Sequence, residues 1–161
     1  MRNRKRFLLW SAVLVWMGVI FFFSSQTAPE SSGQSGILIR TILSWFDSSF
    51  ETLTSVQQEL RIEEWQHIVR KLAHMTIYAI LGMLCMGALY THRLQTWHRP
   101  SIALATSVLY AVSDEWHQTM VPGRSGELRD VCIDSFGALL GVLFVFVIYT
   151  LIHHKKQKSG D

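Results

Sequence analysis

The sequence predicts an all-α, polytopic membrane protein with four transmembrane helices, both ends on the inner side and short amphipathic helices in the outer loop. Three observations predict it. Phe7 to Phe23 runs 17 residues without a charge, and Ser135 to Ile152 runs 18. Leu72 to Tyr90 runs 19 with His74 as its one side chain able to carry charge near neutrality. A bilayer core of about 30 Å needs roughly 17–25 apolar residues, so each run is long enough and a soluble fold is excluded. Second, Ser101 to Ser113 adds 13 uncharged residues; it is too short to cross unless it carries Asp114 and Glu115 into the membrane. Third, the charges divide by side. With four crossings and the N-terminus inside, the inner segments hold nine bases against the single acid Asp161, and the outer ones six bases against eleven acids, as the positive-inside rule demands. The formal net charge of +3 therefore reflects topology and not a basic nucleic-acid-binding face.

The elements follow in order within one domain spanning 1–161. The first span, about 7–23, follows the basic Arg2 to Arg6. It is longer than a signal-peptide core and lacks a small-residue cleavage site, which predicts a retained anchor. The outer loop, 24–71, opens with Ser24-Ser25-Gln26-Thr27-Ala28-Pro29 and a Ser/Gly-rich stretch to Gly36, which is turn chemistry. Ile37, Leu38, Ile42, Leu43, Trp45 and Phe46, then Leu53, Val56, Leu60, Trp65 and Ile68, recur at roughly helical spacing, predicting amphipathic helices on the outer leaflet or a loop packed over the bundle. The second span covers about 72–90. The short connection to Pro100 carries Trp97 as an interface anchor, and Pro100 opens the third span, about 100–118. Pro122-Gly123 breaks the chain, and the last span, about 131–152, ends in the stop His153-His154-Lys155-Lys156. Cys85 and Cys132 lie at different depths and are expected to stay unpaired.

Polar residues gather at one depth. His67, Lys71, His74 and Tyr78 are spaced four, three and four, one stripe on the second helix, and the stripe continues to Gly82. Asp130, Asp134, Gly137 and Gly141 repeat that spacing on the fourth. Small residues four apart let membrane helices approach closely, so helices two and four should touch at their glycines, with Lys71 and His74 opposite Asp130 and Asp134. Asp114, Glu115 and Gln118 close the third helix. Ionisable groups at such depth are costly and face the bundle interior, paired or functional. They form either an outward polar pocket or an ion-pair network that knits loops to helices.

Four motifs carry a resemblance: Phe23-Ser24-Ser25-Gln26, Arg70-Lys71-x-x-His74-x-x-x-Tyr78, Ser113-Asp114-Glu115-x-x-Gln118, and Pro122-Gly123-Arg124-Ser125-Gly126 followed by Asp130-x-x-x-Asp134-x-x-Gly137-x-x-x-Gly141. In this order, over about residues 20–152, they resemble the VanZ-like family of bacterial membrane proteins. The resemblance implies a multi-pass protein of the bacterial cell membrane linked to envelope biology or to teicoplanin-type glycopeptide resistance. It implies no reaction.

Three functions compete. A binding pocket would use Lys71, His74, Tyr78, Asp114, Glu115, Gln118, Arg124, Asp130 and Asp134, with Ser25 and Gln26 beside them, and would take a lipid-linked cell-wall precursor or a glycopeptide. A hydrolase or transferase would use His74 as general base or acid with the Asp114/Glu115 carboxylates. Ser125, in a turn similar to the G-x-S-G of intramembrane serine proteases, reads more simply as a turn serine. Transport is disfavoured, because the inner halves of helices two and four are apolar. His67, His74 and His117 lack H-x-x-x-H or C-x-x-C spacing, so no metal and no cofactor is expected. Membrane lipids are the expected partners, nucleic acid is not, and a homo-oligomer is compatible with the sequence.

Overall fold

The computed structural model describes residues 2–158, and their side chains except those of 2, 28–32, 34, 35, 67 and 153–158. Among the described residues the regular structure is entirely helical: α1 (Arg2–Ser24), α2 (Ala28–Phe46), α3 (Ser55–Leu89), α4 (His98–Gln118) and α5 (Leu128–Lys158), with one 3₁₀ turn at Phe50–Thr52. Helices α1, α3, α4 and α5 form a bundle in which α3 and α5 share the largest interface. Three helices are long and apolar enough to cross a membrane, over Asn3–Ser24, Ser55–Leu89 and Leu128–Ile152. The fourth, α4, has 21 residues, about 31 Å at 1.5 Å per residue, but its charged residues dilute its apolar character.

Two expectations for the outer loop are corrected. The Ser/Gly-rich stretch to Gly36 is not a turn, because α2 begins at Ala28 with Pro29 at its start, where proline's missing N–H is no loss. The apolar residues from Val56 to Ile68 do not form a separate helix lying on the membrane. They are the first half of α3, a single helix of 35 residues. Thr54 starts it with a capping box, its hydroxyl facing the Gln57 N–H while the Gln57 side chain accepts from the Thr54 N–H. No Gly or Pro interrupts the helix before Gly82. At about 52 Å it exceeds the hydrocarbon thickness, so α3 extends beyond the apolar layer. Helix α2 leans against that extension through Ile39, Leu43 and Ile62, together with Phe50 of the 3₁₀ turn.

The bundle core is held by Val13 and Ile20 of α1, Tyr78, Leu81, Cys85 and Met86 of α3, Ala103 and Ala111 of α4, and Val142 of α5, with Ala138 of α5 also buried. Both cysteines are free, Cys85 buried and Cys132 exposed. Outward lie Phe7, Leu14, Phe21, Leu109, Val112, Trp116, Phe136, Phe144 and Ile148, the pattern of a fold whose apolar surroundings replace water. The chain is thus an all-helical membrane protein.

Contact between α3 and α5 is backbone against backbone. A Cβ added at Gly137 would overlap the Met75 carbonyl oxygen, one at Gly141 the Ala79 oxygen, and one at Gly82 the Ala138 oxygen. The two helices run parallel, Met75 beside Gly137 and Ala79 beside Gly141. At the far end the Tyr90 and Tyr149 rings stack with centroids 3.7 Å apart, Arg99 lies over Tyr90, and the Trp10 indole N–H donates to His92 Nε2 at 3.0 Å.

Because nothing but displacement of a carbonyl would make room, Gly137→Leu and Gly141→Leu should each destabilise the purified protein by about 1–3 kcal/mol or more, the usual range for overpacking. Gly18, whose added Cβ would meet nothing within 4 Å, should accept alanine with little effect. Thermal melting in detergent checks both; equal melting shifts at Gly18 and Gly137 would contradict the contact.

Candidate functional site

Parallel packing in this register brings the two polar stripes face to face. Lys71 Nζ lies 2.6 Å from Asp130 Oδ1, and His74 Nδ1 lies 3.7 Å from Asp134 Oδ2. The first pair is a charge-assisted hydrogen bond. The second is longer than a hydrogen bond, although Asp134 is completely buried.

Helix α4 supplies the third wall. Its inward stripe Ala103, Ser107, Ala111, Asp114 and Gln118 is buried, so the carboxylate continues an apolar face into the bundle. Ser24 ends the buried face of α1 that includes Val13 and Ile20, and its Oγ donates to Asp114 Oδ2 at 2.8 Å. Gln118 Nε2 donates to the same oxygen at 3.3 Å, while Gln118 Oε1 accepts from Arg124 Nη1 at 3.2 Å. Ser24, Asp114, Gln118 and Arg124 thus form one chain of hydrogen bonds from the interior to the rim.

The loop after α4 closes the site from above. Pro122 and Gly123 fill the centre of a turn closed by the Arg124 N–H on the Val121 carbonyl, with Gly123 at φ 78°, where glycine is favoured. Gly126 presses on the end of α4, close enough that a Cβ would meet the Glu115 carbonyl at 2.7 Å. That approach lets the Glu127 N–H donate to Glu115 Oε2 at 3.0 Å.

Between these walls lies a cavity of about 80 Å³, lined by Arg70, Lys71, His74, Gln118, Arg124, Ser125, Glu127, Asp130 and Asp134 among others. Three bases and three acids face one another there, but they are not evenly paired. Arg124 makes no ion pair among the described residues; its second nitrogen meets only the Phe23 carbonyl, at 3.4 Å. Burial, then the charge of Arg70, pulls its pKa below the ordinary guanidinium value, while Asp114 and Glu115 pull it back. At the opposite pole, neither Asp134 oxygen has a hydrogen-bond partner among the described residues, nor do Asp114 Oδ1, Glu115 Oε1, His74 Nδ1 or the Tyr78 hydroxyl.

Of the residues expected to line a pocket, Lys71, His74, Gln118, Arg124, Asp130 and Asp134 do so. Asp114, Glu115 and Tyr78 lie beneath it, buried. Ser25 and Gln26 are not brought in: Ser25 is exposed and bonds back to the Phe21 carbonyl of its own helix, and Gln26 is half-buried outside the cavity lining. Ser24 takes the place given to Ser25. Its spacing of four from the buried Ile20 was the signal for it, whereas Arg70 and Glu127 carry no periodic mark. Ser125 lines the cavity, and its hydroxyl makes no hydrogen bond among the described residues. His117 stacks against Phe21, centroids 4.5 Å apart, away from His74, and the side chains of His67, His153 and His154 lie outside the described residues. Instead, His74 meets Asp114 and Asp134 from two other helices, with one ligand-type atom of each within 4.8 Å of the others.

No curated protein and no solved structure matches the chain. The family model VanZ/LLP1 matches residues 9–150, an interval that runs from within α1 to within α5 and takes in every residue of the cavity. The chain belongs to the VanZ/LLP1 family.

Proposed function

We propose that the protein crosses the bacterial cell membrane four times, with both termini in the cytoplasm, and that its cavity opens at the outer face to bind the anionic headgroup of an envelope lipid. The observation that carries the reading is Arg124: a half-buried guanidinium in the cavity wall whose hydrogen bonds go only to neutral acceptors. A planar five-donor fork without a carboxylate partner suits a phosphate.

Crossing by α4 is supported by its two faces. Asp114, Glu115 and Gln118 turn inward, while Ile102, Leu109, Val112 and Trp116 form an exposed apolar stripe suited to lipid. The charge division of the sequence then puts the cavity outside.

Size favours a headgroup over a whole antibiotic. Drug-sized ligands fill clefts of roughly 300–1,000 Å³, well above the 80 Å³ here, which supports a headgroup over a whole glycopeptide as the occupant. A phosphate or diphosphate is small enough to enter. Any part in teicoplanin-type resistance would then run through the lipid-linked cell-wall precursor. A second reading, hydrolysis or transfer at the same headgroup, draws on the imidazole of His74 facing the buried Asp134 carboxylate.

In a cysteine-free background, a cysteine at Ser25 should react with a membrane-impermeant maleimide on intact cells, and one at Arg93 should react only after permeabilisation. The reverse pattern would invert the topology. Binding of undecaprenyl diphosphate to the purified protein, followed by native mass spectrometry with phosphatidylcholine as the reference, tests the site. Arg124→Ala should weaken it roughly 10- to 150-fold, the equivalent of about 1.5–3 kcal/mol for a hydrogen bond to a charged group. Unchanged affinity would remove the headgroup reading.

A further inference from the structure

We infer that His74, Asp114 and Asp134 form a binding site for a divalent first-row transition metal ion at the floor of the cavity.

The starting point is an electrostatic demand that the protein does not meet with its own groups. Asp134 is 0% exposed and Asp114 3%, on two helices packed together in an apolar surrounding. Lys71 is committed to Asp130 and Arg124 to Gln118 and the Phe23 carbonyl, so no basic side chain forms an ion pair with Asp114 or Asp134 among the described residues. Among the described residues, the side chain that comes within ion-pair distance of Asp134 is that of His74, at 3.7 Å. A buried carboxylate without a cation or hydrogen bonds is several kcal/mol unfavourable, and an unsatisfied buried polar group calls for an ion or a water.

What is unsatisfied here is specific. Among the described residues, Asp114 Oδ1, both oxygens of Asp134 and His74 Nδ1 are buried atoms without hydrogen bonds, and they belong to the three residues whose ligand-type atoms converge within 4.8 Å. The Tyr78 hydroxyl, on the same α3 stripe one turn below His74, is likewise buried with no hydrogen bond of ordinary geometry. It is a separate polar group beside the set that a bound ion or its water would satisfy.

Distances fit a metal. Ligands about 2.0–2.2 Å from a shared tetrahedral ion stand about 3.3–3.6 Å apart; His74 and Asp134 are already at 3.7 Å, and with all three atoms within 4.8 Å of one another an inward movement of about an ångström closes the set. The donor chemistry narrows the choice: one imidazole with two carboxylates suits zinc, manganese or ferrous iron, whereas magnesium and calcium favour all-oxygen shells.

The arrangement around the ligands also resembles a built site. Ser24 and Gln118 both donate to Asp114 Oδ2, which leaves Oδ1 as its free oxygen and fixes the carboxylate plane, the role hydrogen-bonded neighbours play at metal centres. His74 and Asp134 line the cavity while Asp114 lies behind them. Three protein ligands at the floor of an open cavity leave further coordination positions facing outward, towards Arg124. This site goes beyond the headgroup reading and does not depend on it.

The test is metal content of the full-length protein purified in detergent, stripped with chelator and reloaded with Zn²⁺ or Mn²⁺ in the absence of phospholipid. Mass spectrometry of the elements should find about one ion per chain, and Mn²⁺ should lose its free-ion electron paramagnetic resonance signal on binding. His74→Gln, Asp114→Asn and Asp134→Asn should each abolish stoichiometric loading, and Ser24→Ala should weaken it roughly 10- to 100-fold, as loss of a ligand-orienting group does elsewhere. Glu59→Gln, a change at an exposed residue paired with Arg40, should load like wild type. Arg124→Ala should also load fully even where it loses the headgroup, which separates the two readings. Size-exclusion elution reports folding of each variant; should the Asp variants aggregate, Ser24→Ala and His74→Gln decide. A wild-type protein that loads only trace metal, or folded ligand variants that load as wild type does, would overturn the site.

Discussion

Everything at the polar end of the bundle depends on how closely α3 and α5 approach. Without Cβ atoms at Gly82, Gly137 and Gly141, carbonyl oxygens of one helix sit where the side chains of the other would be. In a membrane such contact is a main source of cohesion, since lipid gives helices no hydrophobic reason to associate. It also sets a register. Once Met75 lies beside Gly137 and Ala79 beside Gly141, Lys71 must face Asp130 and His74 must face Asp134, because both stripes repeat at four, three and four. A slip of one turn would keep one of these two contacts at most, leaving His74 opposite Gly137 or Lys71 beyond Asp130, so packing and electrostatics select the same alignment.

Within that frame the cavity is polarised. Among the described residues, its rim holds a guanidinium that no carboxylate answers, and its floor holds carboxylates that no Lys or Arg answers and that only the His74 imidazole approaches. Lys71 and Asp130 neutralise each other between the two poles. Gln118 links the poles, accepting from Arg124 with its oxygen and donating to Asp114 with its nitrogen, which an amide can do and a carboxylate could not. A positive ion below and an anion above would complete the charges in a single stack, without rearranging a hydrogen bond already made.

Much of this was legible in the sequence because it rests on period and spacing. The apolar runs gave the long helices, and the paired stripes gave the Lys71–Asp130 and His74–Asp134 alignment. What escaped was three-dimensional. Ser24 and Ser25 stand about 100° apart around the helix, and what separates them is the buried face that Ile20 defines. The gathering of His74 with Asp114 and Asp134 joins three helices and leaves no linear motif. Charged residues between Val56 and Ile68 suggested a separate surface helix, whereas helical continuity needs only that nothing break it.

That continuity has a mechanical side. His74 and Lys71 share one uninterrupted rod with Ile62, against which α2 rests, and the rod is gripped at Gly82. From Gly82 to Ser55 is about 40 Å at 1.5 Å per residue, so a tilt of about 5° at the grip swings the distal end by about 3.5 Å. The α2 unit and the cavity wall cannot shift independently, and crowding pressed on one is felt as leverage at the other.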